Sequence, residues 1–119
     1  MGNESVDVEG YFLCLGPGTY VNVGTVATSS TVLAPEGSIT LSYDVNETSS
    51  GLGIFSTNSF GSNDPEILLD YVQWGAANQA RADQAVAAGR WNNVNAFVPA
   101  KTNITFTGGA TDVGATFWE

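Results

Sequence analysis

The feature that most constrains this chain is a two-residue alternation, broken every few residues by clusters of turn formers. Residues 38–45, Ser-Ile-Thr-Leu-Ser-Tyr-Asp-Val, place Ile39, Leu41, Tyr43 and Val45 on one side and Ser38, Thr40, Ser42 and Asp44 on the other. That is the signature of a strand with one wet face. Val6, Val8, Phe12 and Cys14 share a parity, interrupted by Gly10, where a bulge or a close backbone approach is expected. Val21/Val23, Leu52/Ile54 and Ile104/Phe106 repeat the pattern, and residues 66–74, apolar on both parities, read as a central strand covered on two sides. Gly16-Pro17-Gly18, Ala34-Pro35-Glu36-Gly37, Ser49-Ser50-Gly51, Ser62-Asn63-Asp64-Pro65 and Gly108-Gly109 punctuate these runs. Six or more short strands so divided predict an all-β, antiparallel sandwich.

One segment departs from the period. Residues 76–89 hold seven alanines and a single β-branched residue, with Ala82, Ala85, Val86 and Gly89 on one helical face. The spacing predicts one short helix near residues 78–89, stopped by Gly89 and anchored by Trp74 and Trp91. Arg81, the lone cation in the middle of this segment, is expected to dock the helix through carbonyls or through a carboxylate such as Asp70. Arg81, Trp74 and Asp70 are thus the expected structural residues. At 119 residues the chain has material for one core, so a single domain spanning 1–119 is expected.

Composition narrows the chemistry. Three cations against twelve anions give a net charge of −9, which repels phosphate backbones and excludes a nucleic-acid partner. There is no histidine, and Cys14 is the only cysteine, which removes the common nucleophile pairs, an intrachain disulfide and thiolate metal sites. The carboxylate pairs Asp7/Glu9 and Asp64/Glu66 read as solvated strand faces, so the chain is expected not to be an enzyme. Asp44, Asn46 and Glu47 are the candidate metal ligands: Asp44, Asn46 and Thr48 mimic the opening of a calcium loop, yet Phe55 stands where the closing glutamate belongs. No resident cofactor is expected, with Ca²⁺ at that loop as the alternative. No apolar run approaches the roughly 18 residues of a membrane span, and the N-terminus lacks a basic and apolar leader. Low lysine content with abundant Ser, Thr, Asn and Gly resembles a secreted protein, so the chain is expected outside the cell or at its surface.

The runs Asn3–Cys14, "VLAPEGSITLSY", "GLGIFS" and "EILLDYVQWG" resemble the lamin-tail domain, an immunoglobulin-like β-sandwich of nuclear lamins and of secreted bacterial surface proteins. Val6, Val8, Gly10, Tyr11, Leu13, Leu33, Ala34, Pro35, Asp70 and Val72 carry the likeness. It implies an immunoglobulin-like fold, here lacking the family's first strand, and a binding role with a protein partner. The residues after Trp74, including the Ile104/Phe106 run and Phe117-Trp118, are candidates to replace that strand or to pair with a second copy in a homodimer. Two functions follow: a non-catalytic interaction or adhesion module of a larger exported protein, or a small carbohydrate-binding domain. For the latter, Tyr11, Tyr20, Trp91 and Trp118 are the candidate ligand-binding aromatics. The partner is then a protein or a glycan at a cell surface.

Overall fold

A computed structural model describes residues 4–35, 37–43, 48–101, 103–109 and 112–119. In chain order the elements are β1 (Val6–Asp7), β2 (Phe12–Leu15), β3 (Thr19–Asn22), α1 (Val23–Val26), β4 (Val32–Leu33), β5 (Ser50–Phe55), β6 (Leu68–Trp74), α2 (Ala82–Ala87) and a 3-10 turn, Ala115–Phe117. The architecture is all-β and sandwich-like: β1 and β4 pair, and a second sheet runs β3-β2-β5-β6, antiparallel throughout.

The larger sheet lies between two apolar clusters. Phe12 pairs with Phe55, Cys14 with Gly53, and Gly53 with Tyr71, so these positions share one face. Cys14, Phe55 and Tyr71 belong to a buried cluster with Ala82 and Ala85 of α2, Trp91 and Val98, and half-buried Phe12 packs against it. Leu13 and Val21, on the opposite parity, pack with Val8, Val23 and Leu33 in a second cluster that also takes Tyr11, Ile39 and Leu41. A Cβ at Gly51 would overlap the Tyr71 hydroxyl, so glycine at this strand position leaves room for the Tyr71 side chain to reach Gln73 and Ala80.

Several expectations change on folding. Residues 38–43 alternate exposed and half-buried as their sequence does, yet they form no ladder. Among the described residues their pairing is a single bridge, Ala27 to Leu41, with Thr28 N–H donating to the Thr40 carbonyl and Ser42 N–H to the Val26 carbonyl. The Val6–Cys14 run is two strands: Tyr11 N–H closes a turn on the Val8 carbonyl at 3.0 Å. Val8 therefore joins one cluster while Phe12 and Cys14 join the other. β6 is buried on both faces from Tyr71 to Trp74, but it ends the larger sheet, and beyond it lies a single parallel bridge from Trp74 to Val98. Phe106 bridges to Trp118, so the segment expected to replace a missing strand pairs within its own end of the chain, and β1 takes β4.

The helix is shorter than residues 78–89. Asn78 (φ 55°) and Arg81 (φ 69°) are left-handed, a conformation that no helix interior accepts, so α2 starts at Ala82. Its stop is where the sequence puts it. Gly89 (φ 76°) donates to the Val86 carbonyl and Arg90 N–H to the Ala85 carbonyl at 2.8 Å, the paired bonds of a Schellman end.

Two buried polar groups carry opposite expectations. Gln73 has no exposed surface and is fully bonded, whereas the buried Tyr43 hydroxyl has no partner among the described residues. Gln73→Leu is expected to cost about 2–4 kcal/mol by orphaning its partners, and Tyr43→Phe to cost nothing or to stabilise. Calorimetric melting of both variants checks the pair.

Candidate functional site

The β2–β3 hairpin exposes an aromatic surface. Because Cys14 pairs with Tyr20 and Phe12 with Asn22, the rings of Phe12 and Tyr20 lie diagonally on one face. Their centroids are 6.1 Å apart, and both meet Phe60, from the segment joining β5 to β6, at 5.8 and 5.1 Å. Phe55 closes the group edge-on from the core, 5.1 Å from Phe60. Phe12 and Phe60 are half-buried, whereas Tyr20 keeps 59% of its surface in water.

Phe60 is fixed by polar contacts from the helix side. Its carbonyl accepts from Arg81 Nη1 at 2.9 Å and from Gln84 Nε2 at 2.7 Å, and the Arg81 guanidinium stands 5.7 Å from its ring centroid. Arg81 also donates from Nε to the Cys14 sulfur at 3.2 Å and from Nη2 to the Pro17 carbonyl at 3.5 Å. One side chain therefore joins the hairpin, the Phe60 segment and the start of α2, and its planar fork suits three separate acceptors. Arg90 does similar work at the other end of α2, donating to the Leu68 and Pro65 carbonyls at 3.1 and 2.6 Å.

Beside the hairpin turn lies a small cleft of about 170 Å³, between Leu15, Pro17 and Thr19 on one side and Ser49, Ser50 and Gln79 on the other. Gln79 is held in place: its backbone N–H donates to Gln73 Oε1 and its Nε2 to the Ala76 carbonyl, each at 3.2 Å. The segments that build the aromatic surface and the cleft carry little charge. No Asp, Glu, Lys or Arg occurs from Gly10 to Pro35, from Thr48 to Asn63 or from Tyr71 to Ala80.

The other sequence candidates are placed as follows. Trp91, expected as a ligand platform, is a core residue with 1% exposure; its ring meets Tyr71 edge-on at 5.8 Å and its Nε1 donates to the Ala96 carbonyl at 3.1 Å. Burying so large a ring against the alanines of α2 is what fills that layer. Tyr11 is half-buried on the second cluster, and Trp118 is half-buried, paired with Phe106 at 5.3 Å. Trp74 is buried. Asp70 does not meet Arg81: its Oδ1 accepts the Tyr71 N–H at 2.8 Å, and Arg90 is the cation acting on it. Desolvation outweighs both and holds the Asp70 carboxyl above its ordinary range. Asp7 and Asp64 each accept the N–H two residues on, at 3.0 and 2.8 Å, so these carboxylates shape turns. Asp44, Asn46 and Glu47 lie outside the described residues. Among the described residues, no three acidic, histidine or cysteine side chains group as metal ligands would.

Sequence reasoning missed Phe12, Phe60 and Gln73. Phe60 had a readable signal, a lone aromatic in a polar Thr-Asn-Ser-Phe-Gly-Ser-Asn run.

Arg81 permits a specific test, since it combines three contacts with a left-handed backbone. Arg81→Ala is expected to lower stability by about 1–3 kcal/mol through the lost contacts, and Arg81→Gly by about 1 kcal/mol less, because glycine adopts positive φ freely. Denaturant unfolding of both variants reads the difference, and equal stability of Arg81→Ala and wild type would remove the docking role. Comparison with protein-family models, curated proteins and solved structures yields no significant match to this chain.

Proposed function

We propose that the chain is a non-catalytic interaction or adhesion module of a larger exported protein, working through the Tyr20–Phe12–Phe60 surface. The observation that carries this reading is Tyr20: a ring 59% exposed, yet held against two others that are themselves locked to the core. Rigid, exposed aromatics lose little entropy on binding and bury large area, which is why they dominate binding surfaces. The likeness of the opening strands and turns to the lamin-tail domain, and with it an immunoglobulin-like kinship and an extracellular setting, belongs to the same proposal.

A second reading, a small carbohydrate-binding domain, is supported by the same ring, since the face of an exposed tyrosine suits stacking by a neutral sugar. The two readings differ in what Tyr20 touches. Wild type and Tyr20→Ala, presented to arrays of glycans and of extracellular proteins, separate them. The expected outcome is a protein signal lost in Tyr20→Ala while stability changes by no more than about 1 kcal/mol. A Tyr20-dependent glycan signal supports the second reading, and the absence of any Tyr20-dependent signal contradicts both.

A further inference from the structure

We propose that the cleft at the β2–β3 turn is a second binding site, one that takes a single neutral, polyhydroxylated ring such as one pyranose residue. It is distinct from the aromatic surface and does not rest on it.

The size sets the first limit. About 170 Å³ falls below the roughly 300–1,000 Å³ of ordinary ligand pockets, so one small ring fits and an extended chain does not. The lining sets the chemistry. Leu15 and Pro17 contribute apolar surface, while Thr19, Ser49, Ser50 and Gln79 contribute hydroxyls and an amide. Gln79 has already committed its N–H and its Nε2 to Gln73 and Ala76, which leaves its Oε1 as a fixed acceptor. The hydroxyls of Thr19 and Ser49 have no protein partner among the described residues, and each can donate and accept. A ligand that satisfies this set must present both donors and acceptors around an apolar body, which is the pattern of a sugar ring. Charge sets the last limit. The three stretches that supply the lining carry no ionised side chain, and the nearest cation in sequence, Arg81, is engaged by Phe60, Pro17 and Cys14. A cationic ligand would lose hydration there and meet no counter-charge, and an anionic one would meet only the Arg81 guanidinium at the Pro17 carbonyl, three of whose donors are already taken.

Amide-resolved NMR titration with neutral methyl glycosides, set against glucuronate and glucosamine as charged controls, tests the assignment. The expected result is saturable, millimolar shifts for at least one neutral glycoside, confined to Gly16, Thr19, Ser49, Ser50 and the Gln79 side-chain amide. Thr19→Val is expected to weaken that binding by about two- to tenfold, the worth of one hydrogen bond. Ser49→Tyr, which fills the cleft, abolishes it, whereas Tyr20→Ala leaves it unchanged. Melting curves confirm that each variant is folded, and Thr19→Val stands alone if Ser49→Tyr is not. No saturable shift with any neutral glycoside, or equal shifts with the charged controls, would make the cleft a hydrated crevice and overturn the proposal.

Discussion

The carboxamide of Gln73 is the interaction on which the rest of this structure depends. It sits on β6 with no exposed surface, where every unmade hydrogen bond costs its full desolvation. Its Nε2 donates to the Val94 and Ala96 carbonyls at 3.0 and 2.8 Å, and its Oε1 faces the Gln79 N–H and the Tyr71 hydroxyl, each at 3.2 Å. That hydroxyl also lies 3.0 Å from the Ala80 carbonyl, and burial pushes its pKa well above the ordinary tyrosine value, so it remains a donor. Two irregular segments, 76–80 and 94–98, are thereby tied to one strand. Backbone bonds from Val98 N–H to the Gln73 carbonyl and from Gly75 N–H to the Val98 carbonyl complete the attachment.

This anchoring positions the surfaces that face solvent. With Gln79 and Ala80 fixed, the left-handed Arg81 turns the chain into α2 and aims its guanidinium at the hairpin and at Phe60. Gln84, one turn along α2, adds bonds to the Phe60 and Ser62 carbonyls at 2.7 and 2.8 Å. The aromatic surface is therefore supported from beneath by polar contacts to backbone, one set from the Arg81 guanidinium and one from the neutral Gln84 amide. The same fixed Gln79 forms one wall of the cleft. The helix itself buries little, since its inward residues Ala82 and Ala85 are small, so Trp91 and the flanking polar bonds carry much of its attachment.

How far the sequence discloses this depends on whether the information is local. The alternation of Ile39, Leu41 and Tyr43 and the Gly89 stop are local patterns, and both survive into the structure. Whether an alternating segment acquires a ladder depends on which distant strand lies beside it, so residues 38–43 and the Ile104/Phe106 run read as strands and fold as single bridges. The change of layer across Gly10 has the same origin, because a turn resets parity in a way the spacing cannot reveal. Trp91 reads as available for a ligand because nothing local shows that seven alanines leave a space for it. Gln73 is the clearest case: one amide in an apolar run is indistinguishable from an exposed position until its partners, some twenty residues later, are in place.

The claim that Gln73 makes the segments around it part of the sheet's own cooperative unit is tested most directly by native-state hydrogen exchange. The Gln79 amide, which donates to the Gln73 side chain, and the Val98 amide, which donates to its carbonyl, should exchange only with the opening that releases β5 and β6. Their exchange free energies should then match those of Leu52 and Val72. Exchange of Gln79 and Val98 through a separate, lower-energy opening, with β5 and β6 still protected, would contradict the account.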